Sequence, residues 1–522
     1  VAKLTMPGDA STLPLRGAPL GGEEAARRGR SPAQRVRELA GAGAGNWPAA
    51  VALVAILVLS LFLVVMAADR PSGLSPTTHM SFFPRWMAGP FGGLWPGMTR
   101  NSNTLRYMFT AAFVAMYVGY LVLLRYASTI RGRWVIATIL GAHAIYLLAP
   151  PMALTDVFNY INYGRMEVVH HLNPYTTIPI LEPHNDPSFA LSNWHELLSP
   201  YGPLFTMITF AVVPLGVAGS FWALKGILVL ASLATIYLVW RCARLLGRDP
   251  VQAIALVGLN PIVLVWGLGG DHNDFLMLFC IVLGFYLLLL GRERWAEGGV
   301  AEAPARLREW LLPLTFTEIG AGAVFVTAVA LKASAGVLLP VLFAGLLHSR
   351  RTLVQVLIGM LIAGLVLGAA SLVAFGLHIP DLSTQSRLVT PESIPNLIGL
   401  AVGAGGETET LHLLTSIALA VGVILSCRLA YVRRDPITAC GWASVALLVT
   451  LSWMLPWYVL WVLPLAALST SRRLRTAALV MGAYLIIVWA PASGLLWNAI
   501  GFHPERTAIG RLHQRYVREL LN

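Results

Sequence analysis

Long apolar runs recur down this chain, and short clusters of arginine separate them. A run of about 20 residues without charge can satisfy its backbone in hydrocarbon only as a helix, because a barrel strand needs about half that length. Composition agrees: 57% of residues are hydrophobic and 12% charged, where soluble domains carry about 25% charged. The chain reads as an all-α polytopic membrane protein. About thirteen spans are expected, near 49–68, 107–125, 134–152, 220–240, 251–268, 275–291, 313–331, 334–348, 353–376, 411–430, 437–453, 456–470 and 476–495.

The net charge of +12 does not point to nucleic acid, because the basic residues lie in the short connections between spans. One stretch decides the topology. If 203–219 is a non-crossing interfacial helix broken at Pro214, all the basic clusters share one side. These are Arg27–Arg37, Arg125–Arg133, Arg241–Arg248, Arg292–Arg308, Arg350–Arg351, Arg428–Arg434 and Arg472–Arg475. The positive-inside rule makes that side cytoplasmic. Residues 1–46 then form a disordered basic cytoplasmic tail, 47–500 a transmembrane domain, and 501–522 an external segment. External segments are expected at 69–106, 153–219, 269–274 and 377–410. Cys242, Cys280, Cys427 and Cys440 form no CxxC pair, so neither a disulfide framework nor a zinc site is implied.

Chemistry-bearing residues collect on that external side. A helix starting at Asp156 would place Asn159, Tyr160 and Tyr163 on the acid's face, with Arg165 about half a turn away. Phe158, Ile161, Met166 and Val168 would be buried, as suits a juxtamembrane helix, and Asn173-Pro174 would end it. The plainer reading is that Thr155-Asp156 caps the helix. In the turn Gly267–Phe275, Asp271, His272, Asn273 and Asp274 are consecutive. They could bind a divalent cation or hydrogen-bond a sugar, or merely cap the next span. Tyr201 lies in Ser199–Phe205, where two prolines set an extended approach and a helix start. Lys332 is the only lysine beyond Lys225, and with Arg387 it is a phosphate candidate; snorkelling is the ordinary alternative. Trp457, Tyr458 and Trp461 suit sugar stacking or an aromatic belt. His143 reads as a satisfied core histidine.

Taken in order, these motifs resemble the actinobacterial polyprenyl-phosphomannose-dependent α-1,6-mannosyltransferases, integral-membrane enzymes of the GT-C fold class. The resemblance spans roughly residues 130–495 and rests on Asp156-Val157 with Tyr160, and on Asn173-Pro174-Tyr175. It continues through Tyr201-Gly202-Pro203-Leu204-Phe205, Asn260-Pro261, Asp271-His272-Asn273-Asp274, Lys332, and Pro456-Trp457-Tyr458 with Trp461. It implies an inverting transfer of mannose at the outer face of the plasma membrane. The donor would be polyprenyl-phosphate-mannose, and the acceptor a glycolipid or glycan of lipomannan type. Asp156 would be the general base. Tyr160, Tyr163, Arg165, Asn173, Tyr201, His272, Asn273, Lys332, Arg387, Trp457 and Tyr458 would contact substrate. Asp271 is a departure from the family pattern, and with Asp274 it leaves room for a Mg or Mn ion. Another polyprenyl-phosphate sugar, arabinofuranose or glucose, is the alternative donor. A transporter is disfavoured, because the acids cluster at helix ends rather than at the midplane of broken repeats.

Overall fold

The thirteen apolar runs all become helical, but not all as full-length rods. The structure is a computed structural model that describes residues 47–72, 74, 83–97, 101–152, 156–297 and 316–521. The expected tail at 1–46, the cap residue Thr155 and the basic residues Arg306 and Arg308 lie outside the described residues. Among the described residues six helices are long and apolar enough to cross a membrane, and a bent pair, Arg472–Trp489 with Ser493–Ala499 at 70°, would make a seventh. Five further apolar helices are shorter, and 250–268 is a helical pair too broken to qualify. The chain is thus a multi-pass membrane protein, and thirteen full crossings are not what the helix lengths show.

Local chemistry explains the breaks. Helix α1 (Trp47–Ala68), α2 (Ser102–Tyr126) and α3 (Gly132–Leu147) precede α4 (Asp156–His170). Helices α5 (Pro203–Val212), α6 (Gly216–Leu245) and α7 (Pro250–Gly258) follow. Helix α7 stops because the Asn260 side chain takes the Ile262 N–H at 2.9 Å and Pro261 lacks a donor. A π-helical turn, Val263–Leu268, then leads to α8 (Asp274–Glu297). Next come α9 (Phe316–Leu331), α10 (Leu338–Leu346), α11 (Arg350–Phe375), α12 (Glu409–Arg433) and α13 (Pro436–Thr450). The short α14 (Leu463–Leu468), α15 (Arg472–Trp489) and α16 (Ala508–Leu521) complete the chain. All six residues of α14 are buried, so its interrupted backbone is shielded by protein. Helices α9 and α11 touch through glycine: a Cβ on Gly322 would meet the Val356 carbonyl at 1.9 Å.

Pro203–Leu245 looks like one apolar stretch of 43 residues, yet it is not one rod. Ser220 Oγ donates to the Val212 carbonyl at 2.7 Å, eight residues back. A straight helix would hold those positions about 12 Å apart. The chain turns at Val213–Leu215, with Gly216 in the left-handed region at φ +69°. Helix α5 therefore starts beside Leu331, where the Gly202 N–H reaches the Leu331 carbonyl at 3.3 Å, and finishes beside the start of α6. Both of its ends belong to the same end of the bundle, as the charge pattern required. That loop end also gathers Gly269 (bonded by Met152), Phe375 (bonded by Asn173) and Leu520 (bonded by Glu196). At the opposite end two of the basic clusters meet, where Arg475 lies with Arg248 and donates to Gln252 at 3.2 Å.

Candidate active site

Helix α4 presents Asp156 in its first turn, a favourable place for an anion near the helix dipole. Asn159, Tyr160 and Tyr163 are buried on α4. The tyrosines prove to be walls. Tyr160 packs edge-on against Tyr201 at 4.7 Å and Phe205 at 4.8 Å, and the Asn273 N–H points to its hydroxyl at 3.5 Å. Tyr163 donates to the Leu197 carbonyl at 2.7 Å. Tyr201 joins α4 to the start of α5.

The π-helical turn and a left-handed Asp271 (φ 56°) aim the acidic turn back at α4. Here the two acids part company. Asp271 bonds Lys225 Nζ at 2.9 Å, with both side chains buried. Asp274 receives Lys332 Nζ on both oxygens at 2.8 Å and the Trp461 indole N–H at 2.5 Å. The Lys332 ammonium also lies over the Tyr458 and Trp461 rings at 5.3 and 5.5 Å. His272 stacks on Trp457 at 3.5 Å, and its Nδ1 is 3.5 Å from Asp156 Oδ2. Residues from six segments thus meet around Asp156.

Burial pushes the Asp156 carboxyl up to about 6; Lys332 and the Trp194 indole pull it down, and Asp274 pushes it up. Burial likewise holds Asp271 at about 6 against Lys225. Burial, with Lys332 adding to it, drives His272 well below its usual range, so it is a neutral imidazole. The Asp156–His272 contact is therefore not a salt bridge. At neutral pH Asp156 is an ionised but poorly solvated carboxylate, the state a general base requires.

Asp271 and Asp274 do not fit a shared divalent ion. Each is already matched by its own lysine, and no group of three or more His, Cys, Asp or Glu side chains able to hold a metal occurs among the described residues.

Three expected substrate contacts are placed elsewhere. Arg165 grips Asp186 with two bonds of 2.9 Å, and His170 binds the same carboxylate at 2.8 Å. The Asn173 side chain closes a local turn on the Tyr175 N–H and donates to the Phe375 carbonyl, both at 2.9 Å. Arg387 is exposed, following the short helix Leu382–Ser386. His143 is satisfied by the Ile139 carbonyl and Ser232, as expected. Sequence reasoning passed over Lys225, although a lone lysine within an apolar span is itself a signal. It also passed over Trp194, which had none.

Comparison with known proteins identifies the family. Residues 72–348 match the family described as alpha-(1->6)-mannopyranosyltransferase, N-terminal domain, and residues 392–504 match the MptB C-terminal domain. Asp156, the acidic turn and both lysines lie in the first match, and Trp457 and Trp461 in the second. The chain is 28% identical over 379 residues to alpha-(1->6)-mannopyranosyltransferase A of Mycobacterium tuberculosis, covering 66% of this chain and 67% of that protein. It is 24% identical over 354 residues to alpha-(1->6)-mannopyranosyltransferase B of Corynebacterium glutamicum, covering 62% and 56%. No solved structure matches. Because the first family match alone spans more than half of it, the chain belongs to the alpha-(1->6)-mannopyranosyltransferase family.

Proposed function

We propose that this chain transfers mannose from polyprenyl-phosphate-mannose to a hydroxyl of a glycolipid or glycan acceptor, forming an α-1,6 link, at the outer face of the plasma membrane. One observation carries the chemistry. Of the three carboxylates that meet here, Asp271 and Asp274 are each bonded to a lysine, while Asp156 forms no ion pair with a lysine or arginine among the described residues and lies beside the His272 ring. It is the carboxylate able to take a proton. The acceptor O–H gives its proton to Asp156 as its oxygen bonds the anomeric carbon. The carbon–oxygen bond to phosphate breaks, and polyprenyl phosphate leaves with the electron pair, inverting the anomeric centre.

Lys332 supplies positive charge: Asp274, itself held by the Trp461 indole, fixes its ammonium, and 21% of its side chain stays exposed. A fixed ammonium beside the leaving phosphate stabilises developing negative charge without rearrangement. The relatives' names support mannose, and the opposed basic end supports the outer face. Purified protein in nanodiscs, given labelled polyprenyl-phosphomannose and a mannosyl acceptor, should form product. Asp156→Asn should lower turnover by about 10²–10⁴-fold. Near-wild-type turnover of that variant would remove the base assignment, and preference for an arabinofuranosyl or glucosyl donor would change the sugar. Turnover should also survive a chelator, since lysines rather than a metal complete both acids.

A further inference from the structure

A cavity of about 280 Å³ lies beside the Asp156 site rather than in it. This is near the lower edge of the roughly 300–1,000 Å³ usual for small-molecule sites. Its walls include Thr390, Trp453, Trp489, His513 and Gln514. Helix α16 supplies one side and is fastened there: the Leu520 carbonyl takes the Glu196 N–H at 3.2 Å, His513 meets the Glu407 carbonyl at 3.1 Å, and Tyr516 donates to the Thr384 carbonyl at 3.3 Å.

Two details give the cavity chemistry. Trp453 and Trp489 line it together with the polar side chains of Glu505, Gln514 and Arg518. The cavity is also linked to the base through a single residue. The Trp194 backbone N–H reaches Asn159 Oδ1 at 3.4 Å, one turn along α4 from Asp156, and the Trp194 ring lies edge-on to Trp453 at 6.1 Å.

We propose that this cavity is an acceptor subsite for hexose units set back from the reacting hydroxyl. The proposal rests on the glycosyl-transfer reading above. Indole faces suit the C–H face of a pyranose, and the Gln514 amide with the Glu505 carboxylate suits its hydroxyls. An acyl chain would leave those polar groups unmatched. Trp194, shared between cavity and base, would register the bound glycan against Asp156.

The test uses the purified full chain and α-(1→6)-mannotriose in isothermal titration. Wild type and Asp156→Asn should bind with equal affinity. Gln514→Ala, an exposed position on the cavity wall, and Trp489→Leu should each bind at least tenfold more weakly. Their acceptor KM should rise by a similar factor, and donor KM should not follow. Unchanged mannotriose affinity in folded Gln514→Ala and Trp489→Leu overturns the subsite. So does labelling of α16 by a photoactivatable phospholipid that mannotriose fails to reduce, which would mark a lipid site. Failure of the parent reading looks different: Asp156→Asn would then keep its turnover, whatever the oligosaccharide binding.

Discussion

At the scale of residues, Asp156 combines catalytic fitness with a cost to stability. Its carboxyl rises from an ordinary 3.8 to about 6 on folding. A raised carboxyl favours the fold below pH 4, and that benefit is lost as pH climbs through 6. At pH 7 the buried anion should therefore cost up to about 3 kcal/mol. Asp156→Asn should melt higher than wild type at pH 8 and nearly level with it at pH 4, while turnover collapses. The acid limb of kcat/KM should bend near pH 6, with activity falling about tenfold per unit below it. A second expectation concerns Lys332. Lys332→Met strands the Asp274 carboxylate and should cost about 3–5 kcal/mol. The double variant with Asp274→Asn should recover most of that stability in thermal unfolding without recovering turnover. Asp156, the acidic turn and Lys332 were legible because charges beside apolar runs are conspicuous. Their division of labour was not, since pairing Lys225 with Asp271 requires residues 46 apart to meet.

At the scale of elements, the clearest result is α5. Pro214 signalled a break, and the arginine clusters demanded that 203–219 not cross. The sharp turn itself is built from the Ser220–Val212 bond, which no local pattern announces. Helix α4 was legible in its extent and its polar face. The pairing of Arg165 with Asp186 was not legible, because Asp186 lies in irregular chain where sequence periodicity says nothing. Arg165→Met should lower stability by about 2 kcal/mol, as for a lost hydrogen bond to a charged group. Donor KM should stay constant in the same preparation, which separates a scaffold from a phosphate ligand. Gly202→Val should fare worse, since its Cβ would fall 2.2 Å from the Ala330 carbonyl.

At the scale of the whole molecule, the bundle has two unlike ends, one basic and one carrying the candidate site. Apolar runs and arginine clusters showed that polarity; they could not show which runs stay whole, because Asn260-Pro261 and Pro456 interrupt segments whose hydropathy is continuous. Ser383→Cys, near the loop end, should react with a membrane-impermeant maleimide on intact cells, whereas Arg434→Cys should react only after permeabilisation. The reverse pattern would invert the proposed orientation.

The broken segments also bear on how the molecule is made. Helix α7 is 9 residues long and α14 only 6, far below the roughly 20 that partition into a bilayer as independent rods. Neither can leave the translocation channel alone. Each must wait for neighbours that cover its interrupted backbone, so residues 250–268 should integrate only once α8 has been synthesised. The same short pieces that shape the turn beside Asp156 thereby tie assembly of the site to the order of translation.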